Sequence, residues 1–222
     1  MATPPPTASR IPLKGPISPD EVTILPANQA SWADLSAIFG TVDPGRCNCQ
    51  RYKTRGWFWA QGTDETRRAA LREQTNCDDP EATSTTGLVA YLAEPGNETP
   101  TPVGWVAVEP RTEYPRLQGL PTVWRGRQHE DKQDDSVWSV TCIVVRKGYR
   151  KRGLSYALAA ATIPYAKANG ARALEAYAMR TQPGKEITWG ELHVGAFQAY
   201  ADAGFREVST PSVRRVVMRV DF

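Results

Sequence analysis

The sequence predicts an α/β protein, and three observations carry that prediction. Short β-branched apolar runs alternate along the chain with stretches whose apolar residues recur at helical spacing. One such run, Val140-Thr141-Cys142-Ile143-Val144-Val145, leads through a basic turn straight into an amphipathic stretch. The 222 residues, with ordinary apolar and charged fractions, are enough to bury one sizeable core.

Residues 1–20 are rich in Pro, Ser and Thr and hold no apolar block, so they read as a flexible arm, neither secretory signal nor helix. Residues 21–222 are expected to form one domain. Its first strand is 22–25. Ser31 caps a helix that runs to Phe39 and stops at Gly40. Asp43-Pro44-Gly45 makes a turn. A charged helix begins at Thr63, continues through 66–72 and ends before Asp78-Asp79-Pro80. Residues 87–93 and 103–108 read as two strands around a Pro-, Gly- and Asn-rich loop. A long loop with little periodicity comes next, near 110–135, a length that is usually functional or disordered, and its charged middle, 125–135, is expected to be mobile.

The buried strand at 140–145 is the next element. Gly153 opens a helix marked by Leu154, Ala157, Leu158, Ala161, Tyr165 and Ala168, which Pro164 is expected to kink. Gly170 stops it, and 172–177 reads as a strand. A polar loop covers 179–190. A helix over 191–203 carries Leu192, Ala196, Phe197 and Tyr200, and Gly204 caps it. Strands at 205–208 and 213–220 end the chain.

Between strand and helix, residues 146–152 include Arg146, Lys147, Arg150, Lys151 and Arg152. A cationic turn with glycine at a helix start suits a phosphate. The first helical N–H groups lack partners, the dipole favours an anion, and glycine lets the backbone come close. Other nucleotide signatures fit less well: there is no Gly-x-x-x-x-Gly-Lys-Ser/Thr, and no Gly-x-Gly-x-x-Gly after a strand.

The segment Arg150-Lys151-Arg152-Gly153-Leu154-Ser155 resembles the Arg/Gln-x-x-Gly-x-Gly/Ala signature of the GNAT superfamily, the Gcn5-related N-acetyltransferases. Ser155 stands where the family has Gly or Ala, and it is small enough to keep the backbone accessible. Tyr200-Ala201-Asp202-Ala203-Gly204-Phe205 resembles the Tyr-x-x-x-Gly-Phe that ends the family's core. The order of elements agrees from Val137 to the C-terminus and, more loosely, back to Val22.

The resemblance implies a mixed central sheet of about six to seven strands flanked by helices, and acetyl-CoA as co-substrate. Arg150, Lys151, Arg152, Gly153, Leu154 and Ser155 would wrap its pyrophosphate. Backbone groups of Ile143, Val144 and Val145 would hold the pantetheine arm, with an N–H near the splay of the strands polarising the thioester. Tyr200 would protonate the departing sulfur. The implied activity is acetyl transfer to a primary amine by direct attack on the thioester. The alternative is a non-catalytic acyl-CoA-binding module that regulates a partner.

An amine must be neutral to attack, so a base helps to remove its proton. Glu175, on the strand beside the cofactor strand, is the first candidate, and Glu113 the second. Glu109 and His193 are further candidates. Trp57-Phe58-Trp59, beside Arg51, Tyr52 and Arg55, could bind a flat or anionic ligand or seal a hydrophobic cluster under a loop.

A net charge of +3, largely accounted for by one turn, does not suggest a general nucleic-acid binder. No apolar run approaches the roughly 20 residues of a membrane span. Cys142 reads as a small core residue. Cys47-Asn48-Cys49 lacks zinc spacing, and Cys77, His129 and His193 do not complete a site, so no metal is expected. The expected setting is a reduced, cytoplasmic enzyme acting on a small molecule rather than a protein, with homodimerisation left open.

Overall fold

The computed structural model describes residues 15–40, 46–181, 184 and 187–222, with Trp189 described by its backbone alone. The turn expected at Asp43-Pro44-Gly45 and most of the N-terminal arm lie outside the described residues, as does part of the loop at 179–190.

Seven strands form one mixed sheet: β1 (Val22–Pro26), β2 (Gly87–Leu92), β3 (Thr101–Pro110), β4 (Val137–Val145), β5 (Ala173–Ala176), β6 (Arg206–Ser209) and β7 (Val217–Asp221). Their spatial order is β1-β2-β3-β4-β5-β7-β6. Every neighbouring pair is antiparallel except β4 and β5. A parallel pair needs a crossover, and the helix α7 (Leu154–Ala168) supplies it.

Among the described residues six α-helices precede α7: α1 (Trp32–Phe39), α2 (Gln50–Lys53), α3 (Gly56–Gln61), α4 (Asp64–Thr75), α5 (Pro115–Gln118) and α6 (Pro121–Trp124). Ser31 and Thr63 cap α1 and α4 by accepting from the backbone N–H three residues on, at 3.1 and 3.2 Å. The stretch near 110–135, which reads as a loop from sequence, holds α5 and α6.

The sheet buries both faces. On one, α7 packs Leu154, Leu158 and Ala166 against Val106, Val140 and Ile143. A Cβ at Gly104 would lie 2.9 Å from Leu158 Cδ1, so glycine there lets α7 lie close on β3. On the other face, Leu35, Ile38 and Phe39 of α1 meet Trp105, Cys142 and Val144, with Cys49 and Leu71 beside them. Burying one such Leu or Phe contributes about 1.5–3 kcal/mol.

A bulge interrupts β4 in its middle. Cys142 pairs with Ala107 and Val140 with Val108, so Thr141 is an extra residue. Trp138 and Val140 face α7 before it, and Ile143 does so after it. The bulge reverses the alternation and bends the strand. β4 and β5 pair only from Val137↔Ala173 to Val140↔Ala176. Beyond that point β4 runs on to Val145 against β3 alone, and a gap opens between the two parallel strands.

Pro164 lies inside α7, which continues through it. Both Pro164 and Ala160, whose carbonyl loses its partner, are exposed, so water can satisfy it. The helix expected over 191–203 is two pieces, α8 (Trp189–Leu192) and α9 (Phe197–Asp202). Gly195 breaks it at φ +89, and a Cβ there would lie 2.6 Å from the Tyr200 ring.

Candidate active site

The basic turn has the shape of an anion cradle. Gly148, Lys151 and Gly153 are left-handed, at φ 96, 60 and 94. Such backbone reversals turn N–H groups to one side. Gly153 is the N-cap of α7 and brings no side chain to the first-turn N–H groups. Arg150 Nε donates to the Val145 carbonyl at 3.0 Å, tying the turn to the end of β4. Arg152 faces the other way: its Nε donates to the Gly15 carbonyl at 2.9 Å, and its own carbonyl accepts from Ile17 N–H at 3.0 Å. Next to this turn, between α7 and α9, lies a cavity of about 440 Å³ lined in part by Gly153, Leu154, Ala157, Ala199 and Ala203.

The gap between β4 and β5 is crossed by residues 193–195. The Ile143 N–H donates to the His193 carbonyl at 2.6 Å. Met179 N–H donates to the Gly195 carbonyl at 3.0 Å, anchoring the segment to the chain leaving β5. Tyr200, fully buried on α9 in the α7-side core, donates its hydroxyl to the Val194 carbonyl at 2.8 Å. Burial holds this phenol well above its ordinary pKa.

The His193 ring lies on the other side. There a cavity of about 430 Å³ is lined by Arg46, Arg51, Arg67, Arg215, Tyr52 and His193, among others. His193 stacks on Tyr52, with centroids 6.0 Å apart. Its Nδ1 is 2.7 Å from the Gly190 carbonyl, which can only accept, so Nδ1 carries the proton. Nε2 is then the basic nitrogen, and it is buried without a partner among the described residues. Burial, aided by Arg215 and Arg51, pulls the imidazole below its ordinary pKa, so it is neutral at pH 7. In the same wall, burial and the neighbouring Cys49 push the Cys47 thiol up to about 12.

The candidate carboxylates are elsewhere. Glu175 is fully buried on β5 opposite Ser139. It pairs closely with Arg127, with Arg219 at 2.9 Å and with Arg111 at 3.4 Å, and accepts from Tyr177 at 3.3 Å. Glu130 shares all three arginines at 3.1 to 3.4 Å. This network clamps residues 111–130 to the sheet. The middle of the long segment, expected to be mobile, is therefore pinned by Arg127 and Glu130. Glu113 is exposed just past the end of β3, where Pro110 pairs with Trp138 at the start of β4, far from Val145. Glu109 is buried in an ion pair with Lys53; burial pushes its carboxyl up and Lys53 opposes that.

The geometry thus brings the basic turn, Ile143, Tyr200 and His193 around one gap, and leaves Glu175 and Glu113 outside it. Sequence reasoning does not single out Arg46, Arg67 or Arg215. They stand far apart in the chain, and each alone reads as a surface charge. The aromatic and basic cluster of Arg51, Tyr52 and Trp59 gives a local sign of this pocket.

The protein is an acyltransferase whose mixed sheet opens between its two parallel strands beside a basic, glycine-bearing helix start. The chain belongs to the acetyltransferase (GNAT) family, whose model matches residues 51–184. Among solved structures, a GCN5-related N-acetyltransferase from Kribbella flavida shares the fold at 18% identity, with a TM-score of 0.51 over 92% of this chain and 100% of that one. A GNAT-family acetyltransferase from Bacillus anthracis aligns at 12% identity, covering 90% of this chain and 95% of the other, with a TM-score of 0.49. The PaiA N-acetyltransferase from Thermoplasma acidophilum, solved in complex with coenzyme A, aligns at 14% identity over 90% and 99% of the two chains, with a TM-score of 0.46. No curated protein matches the chain. No helix among the described residues is long and apolar enough to cross a membrane.

Proposed function

We propose that this acyltransferase moves the acetyl group of acetyl-CoA to a primary amine that enters from the face bearing Tyr52 and His193. The observation that carries the reading is His193: its carbonyl accepts from the Ile143 N–H in the gap, the residue also lines the open cavity beyond it, and its Nε2 is buried without a partner among the described residues.

Acetyl-CoA supplies a thioester whose carbonyl carbon accepts the amine and whose sulfur leaves. Arg150, Lys151, Gly153, Leu154 and Ser155 hold the pyrophosphate, with Arg152 bracing the turn from behind through residues 15–17, and the cavity between α7 and α9 takes the adjoining part of the molecule. The main chain of Ile143, Val144 and Val145 holds the pantetheine arm, which requires the Ile143 N–H to exchange the His193 carbonyl for the ligand. Holding the two reactants in register across the gap is itself a large part of the rate enhancement.

His193 Nε2 takes the amine proton. The N–C bond forms as the C–S bond breaks. The Tyr200 hydroxyl, released when Val194 moves with His193, delivers a proton to the sulfur, and solvent returns both groups to their starting states. We assign the base to His193 rather than to Glu175 or Glu113. Both Glu175 oxygens are held by guanidinium groups. Glu113 stands at the far end of β4.

Calorimetric titration with acetyl-CoA, followed by detection of free thiol with an amine panel, tests the reading. Binding with amine-dependent thiol release is the expected result. Binding without release for any amine would favour the regulatory module.

A further inference from the structure

We infer that the acceptor amine carries an oxyanion, a carboxylate or phosphate, held by Arg46, Arg51, Arg67 and Arg215 in the cavity that His193 borders. The inference rests on the acetyl-transfer reading and names its substrate class.

The four arginines come from separate places: the turn before α2, α2 itself, α4, and the approach to β7. No carboxylate of the described residues forms an ion pair with any of them. The contrast with the other arginine cluster is direct. Arg111, Arg127 and Arg219 are gathered around Glu175 and Glu130. The cavity arginines are gathered around empty volume. Like charges brought together without a counter-ion repel, and an anion among them relieves that cost.

Arg67 and Arg51 are also held in place. The Trp59 ring lies 4.6 Å from the Arg67 guanidinium and 5.3 Å from that of Arg51. Arg67 donates to the carbonyls of Arg46 and Gly62 at 3.1 and 2.9 Å. A guanidinium fixed in this way loses little freedom on gripping an oxyanion, and its fork matches carboxylate or phosphate oxygens. The cavity volume, about 430 Å³, is that of a small-molecule site. His193 lines the same cavity, so the oxyanion binds to the arginines with the amine on the His193 side. A polyamine or a lysine-rich tail would bring positive charge into positive surroundings.

The test measures acetyl-CoA-dependent thiol release with matched acceptors. These are O-phosphoethanolamine, β-alanine and glutamate, against ethanolamine, a neutral diamine monoamide and spermidine. We expect kcat/KM to be about tenfold or more higher for an anionic member than for its neutral counterpart. The phosphate and carboxylate arms tell which oxyanion is preferred. Arg51→Gln and Arg215→Gln should each raise KM for the anionic acceptor about tenfold and reduce the anionic-to-neutral ratio. Preference for neutral or polycationic amines, or acetyl-CoA binding with no turnover in any anionic arm, overturns the inference while leaving the cofactor assignment intact. Failure to bind acetyl-CoA at all, in a folded protein, overturns the acetyl-transfer reading and this inference with it.

Discussion

The backbone N–H of Ile143 donates to the His193 carbonyl across 2.6 Å, and this bond closes the gap that β4 and β5 leave between them. A buried strand N–H needs an acceptor, and here a residue remote in sequence provides it. The bond couples β4 to the residue that also lines the arginine-bordered cavity. Acetyl-CoA that takes over this N–H must displace residues 193–195. Backbone NMR should therefore show Ile143 and residues 190–195 shifting on titration with acetyl-CoA. If these signals stay still while cofactor binds, Ile143 is not a ligand contact.

Replacing His193 by Gln should lower kcat by about 10²–10⁴ with little change in acetyl-CoA affinity, the range for loss of a general base. The pH profile gives a second reading. Burial, Arg215 and Arg51 oppose the imidazolium, while Tyr52 stacks on the ring and Cys47 stays a protonated thiol. The folded pKa is thus below the ordinary value of about 6.5. The base is competent above that pKa and lost below it. The acid limb of kcat/KM should have its midpoint below pH 6.5 and should vanish in the Gln variant.

Two substitutions probe the basic turn. Arg150→Ala removes the proposed phosphate partner and the tie to Val145, so acetyl-CoA binding should weaken by about 1.5–3 kcal/mol. Gly153→Val meets no atom within 4 Å, but Gly153 has φ +94. Its effect should come through the backbone: a β-branched residue cannot hold that conformation cheaply, and the cradle distorts. Calorimetry on both variants, with circular dichroism to check folding, reads the result. Undiminished affinity in both would remove the phosphate assignment.

Glu175→Gln distinguishes an anchor from a base. The substitution leaves Arg111, Arg127 and Arg219 without one of their two shared carboxylates in a buried setting. Denaturant unfolding should show a loss of about 3–5 kcal/mol, the cost of breaking a buried pair. A variant as stable as the parent but inactive would return the base role to Glu175.

Tyr200→Phe should reduce turnover while leaving acetyl-CoA affinity nearly unchanged. It also strips the Val194 carbonyl of its buried donor, at about 1–3 kcal/mol of stability. A stopped-flow comparison of acetyl transfer at matched occupancy isolates the chemical step. Full activity in the Phe variant would mean that the phenol only braces the 193–195 segment.

Much of the fold is legible residue by residue. The run from Val140 to Val145 has the β-branched, apolar character of a buried strand. Ser31 and Thr63 announce their helices by capping chemistry. Gly153 after Arg150 marks the basic turn. The break at Gly195 is not legible: Leu192, Ala196, Phe197 and Tyr200 keep helical spacing across it, and only contact with the Tyr200 ring demands glycine in a left-handed conformation there. The order within residues 110–135 is hidden too. Arg111, Arg127 and Glu130 look like solvated charges until Glu175 and Arg219 are brought beside them.

The sequence by itself determined the strands, the crossover helix and the cationic turn, because these depend on local periodicity, caps and glycine conformations. Tertiary structure alone decided the surroundings of each ionisable group. It placed Glu175 in a guanidinium cage, His193 beside the gap and, around one cavity, four arginines without carboxylate partners among the described residues. The reason is physical: a side chain's charge state and reach depend on burial and on neighbours that the chain supplies from distant positions, and spacing along the sequence carries no record of them.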